Sequence, residues 1–270
     1  MSEQSIFISI ILGIVQGVSE FLPISSSGHL ILASWLMEGK PLSLAVNTAL
    51  HFGTLLSVLT YFWKDWYHIA IKTQARVFKG IASKESDILL PALILGSVPA
   101  GVIGILGKDQ IERLFHHPLS VAVPLFLVGF ILWWADKSSD ATKGMEELSI
   151  RDGFLIGLAQ ACALIPGVSR SGATITAARL LSFNREQAAR FSFLLGTPAM
   201  GGAAILHIKD FLASWNHPDF IAGVLCSFIV GCFAIRFFLR FIKTFGFLAF
   251  ALYRAMIASA IFMLSLLGHI

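Results

Sequence analysis

Residues 16–29 read QGVSEFLPISSSGH, and residues 166–174 read PGVSRSGAT. In each, an apolar stretch stops at a proline, passes through a serine and glycine run, and resumes as a shorter apolar piece. Proline has no amide hydrogen and disfavours helix in the residue before it, while serine and glycine suit turns and caps. The spacing therefore predicts helix, loop, helix over 6–22 and 29–37, and again over 153–165 and 172–181. Irregular backbone at membrane depth is tolerated only where protein or a water-filled cavity surrounds it. Both units read as re-entrant hairpins that meet inside a bundle.

The rest of the chain supports a membrane setting. Of 270 residues, 56% are hydrophobic and 13% charged, against about 45–50% apolar and about 25% charged in an ordinary soluble domain. Six further apolar stretches, 46–63, 88–107, 119–135, 187–207, 220–239 and 247–267, have the length needed to cross a bilayer as helices. The fold class expected is an all-α integral membrane protein, a single membrane domain over 1–270 with about six transmembrane helices plus two re-entrant hairpins. Cys162, Cys226 and Cys232 lie in apolar stretches without metal-ligand or disulfide spacing and read as buried thiols. The N-terminal segment lacks a basic region and a cleavage site, so it does not read as a secretory signal.

Shifting the chain by 144 positions aligns Gly13 with Gly157, Gln16 with Gln160, Ser25 with Ser169, Ser27 with Ser171 and Gly28 with Gly172. This reads as a duplication, with one half at about 1–135 and the other at about 152–270. Each half holds a hairpin and three spans, an odd number, so the repeat is expected to have inverted topology. Lys and Arg favour cytoplasmic segments. The model assigns inward Lys64, Lys72, Arg76, Lys79, Lys84, Lys137, Lys143, Arg151, Arg179, Arg185, Arg190, Arg236, Arg240 and Lys243, and outward only Lys40, Lys108, Arg113 and Lys209. Both termini then face outward. The net charge of +4 is explained by orientation, and no nucleic-acid partner is expected.

The polar residues of the two hairpins are the candidate site. Gln16 and Glu20 are four residues apart and share a helix face. A carboxylate at that depth is a functional candidate, as a ligand for a divalent cation or as a base. Ser25, Ser26, Ser27 and Gly28 open the short helix that carries His29, where hydroxyls and backbone amides suit a phosphate. The second loop contributes a permanent cation, Arg170, whose planar fork matches phosphate oxygens, flanked by Ser169, Ser171, Gly172 and Thr174. His51 and Arg254 lie within expected spans and are open to structural or functional roles. His116, His117 and His207, at span ends, read as solvated.

At these residues the sequence resembles the undecaprenyl pyrophosphate phosphatase family of the bacitracin-resistance type. QGVSEFLPISSSGH and PGVSRSGAT carry the family's two motifs, and FSFLLGTP and ALYR extend the resemblance through nearly the whole chain. The resemblance implies hydrolysis of a C55 polyprenyl diphosphate lipid in a bacterial inner membrane, with Mg2+ or Ca2+ as cofactor and a homodimer as assembly. Glu20, Ser26, His29 and Arg170 fall on its functional positions, and Gln16 is an allowed variant at a position suited to a metal ligand.

Ser26 is the expected nucleophile, with His29 or Glu20 as base; a phosphohistidine at His29, or water activated by it, are the alternatives. Two rivals stand beside this reading. A phosphatidic-acid phosphatase would place histidine five residues beyond the Ser-Arg pair of loop 2, where this chain has Thr176. A lipid flippase or anion carrier shares the inverted-repeat architecture.

Overall fold

The computed structural model describes residues 3–38, 42, 44–79, 88–114, 118–139 and 141–267. Twelve α-helices account for nearly all of them: α1 Glu3–Ser19, α2 Ser26–Glu38, α3 Leu44–Tyr61, α4 Trp63–Lys79, α5 Leu89–Leu114, α6 Pro118–Ser138, α7 Ile150–Cys162, α8 Arg170–Leu180, α9 Arg185–Leu206, α10 Ile208–Ser214, α11 Pro218–Phe245 and α12 Leu248–Leu266. Positions Lys40, Lys84, His116 and His117 lie outside the described residues, as do the side chains of Arg76, Lys79, Lys108 and Arg113.

Among the described residues five helices, α5, α6, α9, α11 and α12, are long and apolar enough to cross a membrane. They coincide with five of the six expected spans, and the sixth stretch forms α3. Large apolar side chains face outward along them, such as Ile105 at 73% and Phe233 at 70% exposure. A continuous apolar exterior of this kind suits lipid.

Both expected interruptions are present. α1 ends at Ser19, residues 20–24 turn, and α2 starts at Ser26; α7 ends at Cys162 and α8 starts at Arg170. The start of α7 is fixed by a capping box: Ser149 Oγ accepts from the Asp152 amide at 3.1 Å, and Asp152 Oδ2 accepts from the Ser149 amide at 2.8 Å. The basic segment after α3, read from sequence only as a connection, is instead helix α4. Its Ile69 is buried and Trp66 packs on the core, while Lys64 and Lys72 stay exposed, so an amphipathic pattern went unread there.

α1 packs on α11 and α3, α5 on α7, α6 on α12, and α8 on α6, α7 and α9. Small residues set the approach of these helices. A Cβ on Gly13 would stand 2.7 Å from Cys226 Cβ, and one on Gly153 would stand 2.6 Å from the Ala92 carbonyl. A Cβ on Gly157 would run into the backbone of Gly96.

Ion pairs tie the basic segments together at their helix ends. Arg185 grips Asp136 bidentately, with both bonds at 2.9 Å, and Arg179 Nε lies 3.0 Å from the same carboxylate. Lys143 pairs with Asp152 at 2.7 Å, Lys243 with Glu186 at 2.9 Å, and Arg190 with Asp65. The apolar core runs from these contacts to the first loop, where Phe21, fully buried, meets Phe193 of α9 edge-on at 5.5 Å. Phe21 thereby anchors the residue beside it, Glu20.

Candidate active site

The two loops are built alike. Ser25 and Ser169 adopt positive φ, 75° and 73°, a region that side chains other than glycine rarely occupy. Each caps the helix that follows. Ser25 Oγ accepts from the Gly28 amide at 3.4 Å and lies 3.2 Å from Ser27 Oγ. Ser169 Oγ accepts from the Gly172 amide at 3.1 Å and lies 3.2 Å from Ser171 Oγ. These hydroxyls and amides hold the loops in shape. Thr174, fully buried, donates to the Arg170 carbonyl at 2.8 Å and meets Ser192 Oγ at 2.6 Å, so it supports the base of Arg170.

Loop 2 is fastened onto loop 1. Ser171 Oγ lies 3.3 Å from the Glu20 carbonyl and 3.2 Å from that of Leu22. The second fastening is Arg254 of α12, fully buried. It donates to the carbonyls of Pro23 in loop 1 at 2.9 Å, of Gly167 and Val168 in loop 2 at 3.0 Å each, and of Leu125 and Pro124 in α6 at 2.8 and 3.4 Å. Arg254, left open on sequence, is thus a clamp on both loops.

Glu20 is the centre of the site, 6% exposed. Its Oε1 accepts from Arg170 Nη2 at 2.7 Å. Its Oε2 accepts from Ser26 Oγ at 2.7 Å and from Gln16 Nε2 at 3.1 Å, and lies 3.6 Å from His51 Nδ1. Arg170 Nη1 also donates to the Ser192 carbonyl at 3.2 Å. Its guanidinium lies against Gly196, where any Cβ would collide with it. One carboxylate therefore connects a hydroxyl from loop 1 with a cation from loop 2, the pairing needed to activate an oxygen next to an anion.

His29 faces elsewhere. Its Nδ1 donates to the Ser25 carbonyl at 2.7 Å, and its Nε2 meets the Tyr253 hydroxyl at 2.7 Å, the two rings stacked within 10°. The two candidate bases are thereby separated: Glu20 contacts Ser26, and His29 contacts Tyr253. Tyr253 was missed in the sequence, although a tyrosine next to an arginine in an apolar span was a usable signal. Ser192, Gly196 and Thr54, which lies 3.3 Å from Gln16 Nε2, were also missed.

A cavity of about 320 Å³ opens on this cluster, walled by Glu20, His51, Gln160, Arg170, Met200 and His207 among others. His51, treated on sequence as open to a structural role, belongs to this wall.

For a divalent cation, the donors are few. Among the described residues no group of three His, Cys, Asp or Glu side chains converges. Glu20 is one carboxylate, and Gln16 Oε1, buried and without a hydrogen-bond partner, is a spare oxygen on the neighbouring amide. Mg2+ is commonly held by one or two carboxylates together with substrate phosphates, and this set fits that pattern.

Apolar spans enclosing two broken helices, whose loops join a carboxylate, a hydroxyl and a guanidinium below a cavity, define a multi-pass membrane protein with a buried polar cluster as its candidate site. The chain belongs to the family of the bacitracin resistance protein BacA, whose model matches residues 9–260. It is 42% identical over 261 residues to an undecaprenyl-diphosphatase of Pelotomaculum thermopropionicum, covering 97% of each chain. A protein of the same name from Thermodesulfovibrio yellowstonii is 43% identical over 264 residues, covering 96% of this chain and 97% of its own.

Proposed function

We propose that this protein hydrolyses undecaprenyl diphosphate to undecaprenyl phosphate and phosphate, recycling the carrier lipid for cell-wall synthesis and conferring bacitracin resistance. The family and the names of its relatives support the substrate. The observation that carries the chemistry is the 2.7 Å contact from Ser26 Oγ to Glu20 Oε2, with Arg170 on the other carboxylate oxygen.

The steps follow from these contacts. An entering diphosphate competes with Glu20 for Arg170, which leaves the carboxylate free to accept a proton. Glu20 takes the Ser26 hydroxyl proton as Oγ bonds to the terminal phosphorus. The bond from that phosphorus to the bridging oxygen breaks, and undecaprenyl phosphate departs as the anion. The proton passes from Glu20 to the departing phosphate. Glu20 next accepts a proton from water as the water oxygen attacks the phosphoserine, and returns it to Ser26 Oγ as inorganic phosphate leaves. Arg170 neutralises charge on the transferred group throughout. Mg2+ or Ca2+, held by Glu20, Gln16 Oε1 and phosphate oxygens, would supply further charge neutralisation when bound.

The same reading extends to topology. We take the architecture as an inverted repeat of two re-entrant hairpins in a bacterial inner membrane, with both termini outward. The packing supports it: α1 lies on α11 as α7 lies on α5, and α3 lies on α11 as α9 lies on α5. The pairs Arg190 with Asp65, Arg185 with Asp136, Lys143 with Asp152 and Lys243 with Glu186 support one common basic face.

The test is phosphate release from undecaprenyl diphosphate by the purified protein in detergent. Release that depends on Ser26 and Glu20 supports the reading. A preparation that releases none but moves the lipid across vesicle membranes would favour a carrier and overturn it.

A further inference from the structure

Gln160 sits in the last turn of α7, is 3% exposed, and has neither amide atom hydrogen-bonded among the described residues. Buried amides are rarely left so, because an unmet polar group keeps its full desolvation cost. Its repeat mate shows the contrast. The amide nitrogen of Gln16 reaches Glu20, His51 and Thr54, whereas the place of Glu20 in the second half is taken by Leu164. The second half thus carries the amide without that partner. A leucine or methionine would fill the same wall without the penalty.

The wall it occupies is that of the cavity shared with Glu20, His51 and Arg170. A primary amide offers two N–H donors and one carbonyl acceptor with no net charge. Phosphate oxygens take the donors, and a water or protonated phosphate oxygen meets the acceptor. Arg170 already supplies the fixed charge. A neutral donor adds direction to the grip without tightening the hold on product by another charge. We propose that Gln160 is a substrate-binding residue whose side chain turns into the cavity and donates to a phosphoryl oxygen of the diphosphate. This rests on the hydrolase reading above for its substrate.

The experiment compares wild type with Gln160→Met and the isosteric Gln160→Glu, with two readouts: steady-state hydrolysis of undecaprenyl diphosphate, and the rise in melting temperature given by inorganic pyrophosphate. Gln160→Met is expected to raise KM roughly tenfold or more with kcat within about threefold, as loss of a hydrogen bond to a charged group implies. It should shrink the pyrophosphate shift while melting no lower than wild type without ligand. Gln160→Glu should raise KM further, because a carboxylate there repels phosphate. Wild-type KM and a wild-type pyrophosphate shift in both variants would overturn the proposal. If Gln160→Met does not purify as a single species, Gln160→Glu decides alone. If the wild-type protein releases no phosphate, the hydrolase reading fails, and the pyrophosphate arm still decides whether Gln160 holds a diphosphate.

Discussion

Arg170 Nη2 lies 2.7 Å from Glu20 Oε1 across an interval of 150 residues, so the carboxylate of the first hairpin and the cation of the second neutralise each other. Neither is free until an anion arrives. Removing one partner leaves a buried, unpaired charge, the costly case. Glu20→Gln is expected to lower kcat by about 100- to 10,000-fold, the range for loss of a general base. Arg170→Ala should lower kcat/KM at least as far, and the double variant should lose much less than the product of the two, because they act as a unit. Phosphate-release kinetics on the four proteins measure this.

Ser25 and Ser26 are neighbours with different duties. Ser26→Ala removes the proposed nucleophile and should abolish covalent labelling in acid-quenched reactions with labelled substrate. Ser25→Gly removes the cap but relieves a positive φ; it should cost about 1 kcal/mol of stability or less and keep phosphoenzyme formation. Labelling that survives in Ser26→Ala would move the nucleophile elsewhere.

Tyr253 holds His29 Nε2 at 2.7 Å. Tyr253→Phe keeps the stacked ring and loses only the hydroxyl. We expect kcat to fall by about 10-fold, the value of one modest hydrogen bond lost, with KM little changed and the pH profile of kcat displaced as His29 gains a free nitrogen. An unchanged profile would show that the hydroxyl only packs.

Much of this site was readable from residue types. Glu20, Ser26 and Arg170 stood out as candidates because ionisable and hydroxyl side chains beside prolines in apolar sequence have few other uses, and the two interrupted stretches, supported by the 144-residue offset, led us to expect that the loops would meet. What could not be read was the division of labour among the hydroxyls. Ser25 and Ser169 cap helices and Ser171 bonds loop 1, roles set by backbone direction rather than composition. Tyr253 escaped, and the role of Arg254 stayed open, because their partners lie more than 80 residues away in sequence. Helix α4 was hidden by its high charge, which resembles a connection when its period is not examined.

Gly157 of α7 touches the backbone of Gly96 in α5. Gly157→Val forces these helices apart, and overpacking of this kind costs roughly 1–3 kcal/mol or more. Thermal melting in detergent should fall while substitution at Gly101, which has open space around it, leaves the melting temperature near wild type.

Arg254→Met removes donors from five carbonyls of the two loops and α6. The variant is expected to lose several kcal/mol, since each buried acceptor left unmet costs about 1–3 kcal/mol. Arg254→Lys, with a single ammonium, should recover only part of it. Chymotryptic nicking within residues 20–25 should increase in both.

The clamp also orders the making of the protein. Arg254 belongs to α12, which follows both loops in the chain, so a ribosome has delivered Glu20, Ser26 and Arg170 before the residue that clamps both loops leaves the exit tunnel. Until α12 partitions into the bilayer, the nascent chain carries its carboxylate, hydroxyl and guanidinium on loops joined only by their own contacts, Ser171 to the carbonyls of loop 1 and Arg170 to Glu20. A chain truncated after α11 would lack this clamp, and its phosphate release in detergent is expected to fall well below that of the full chain.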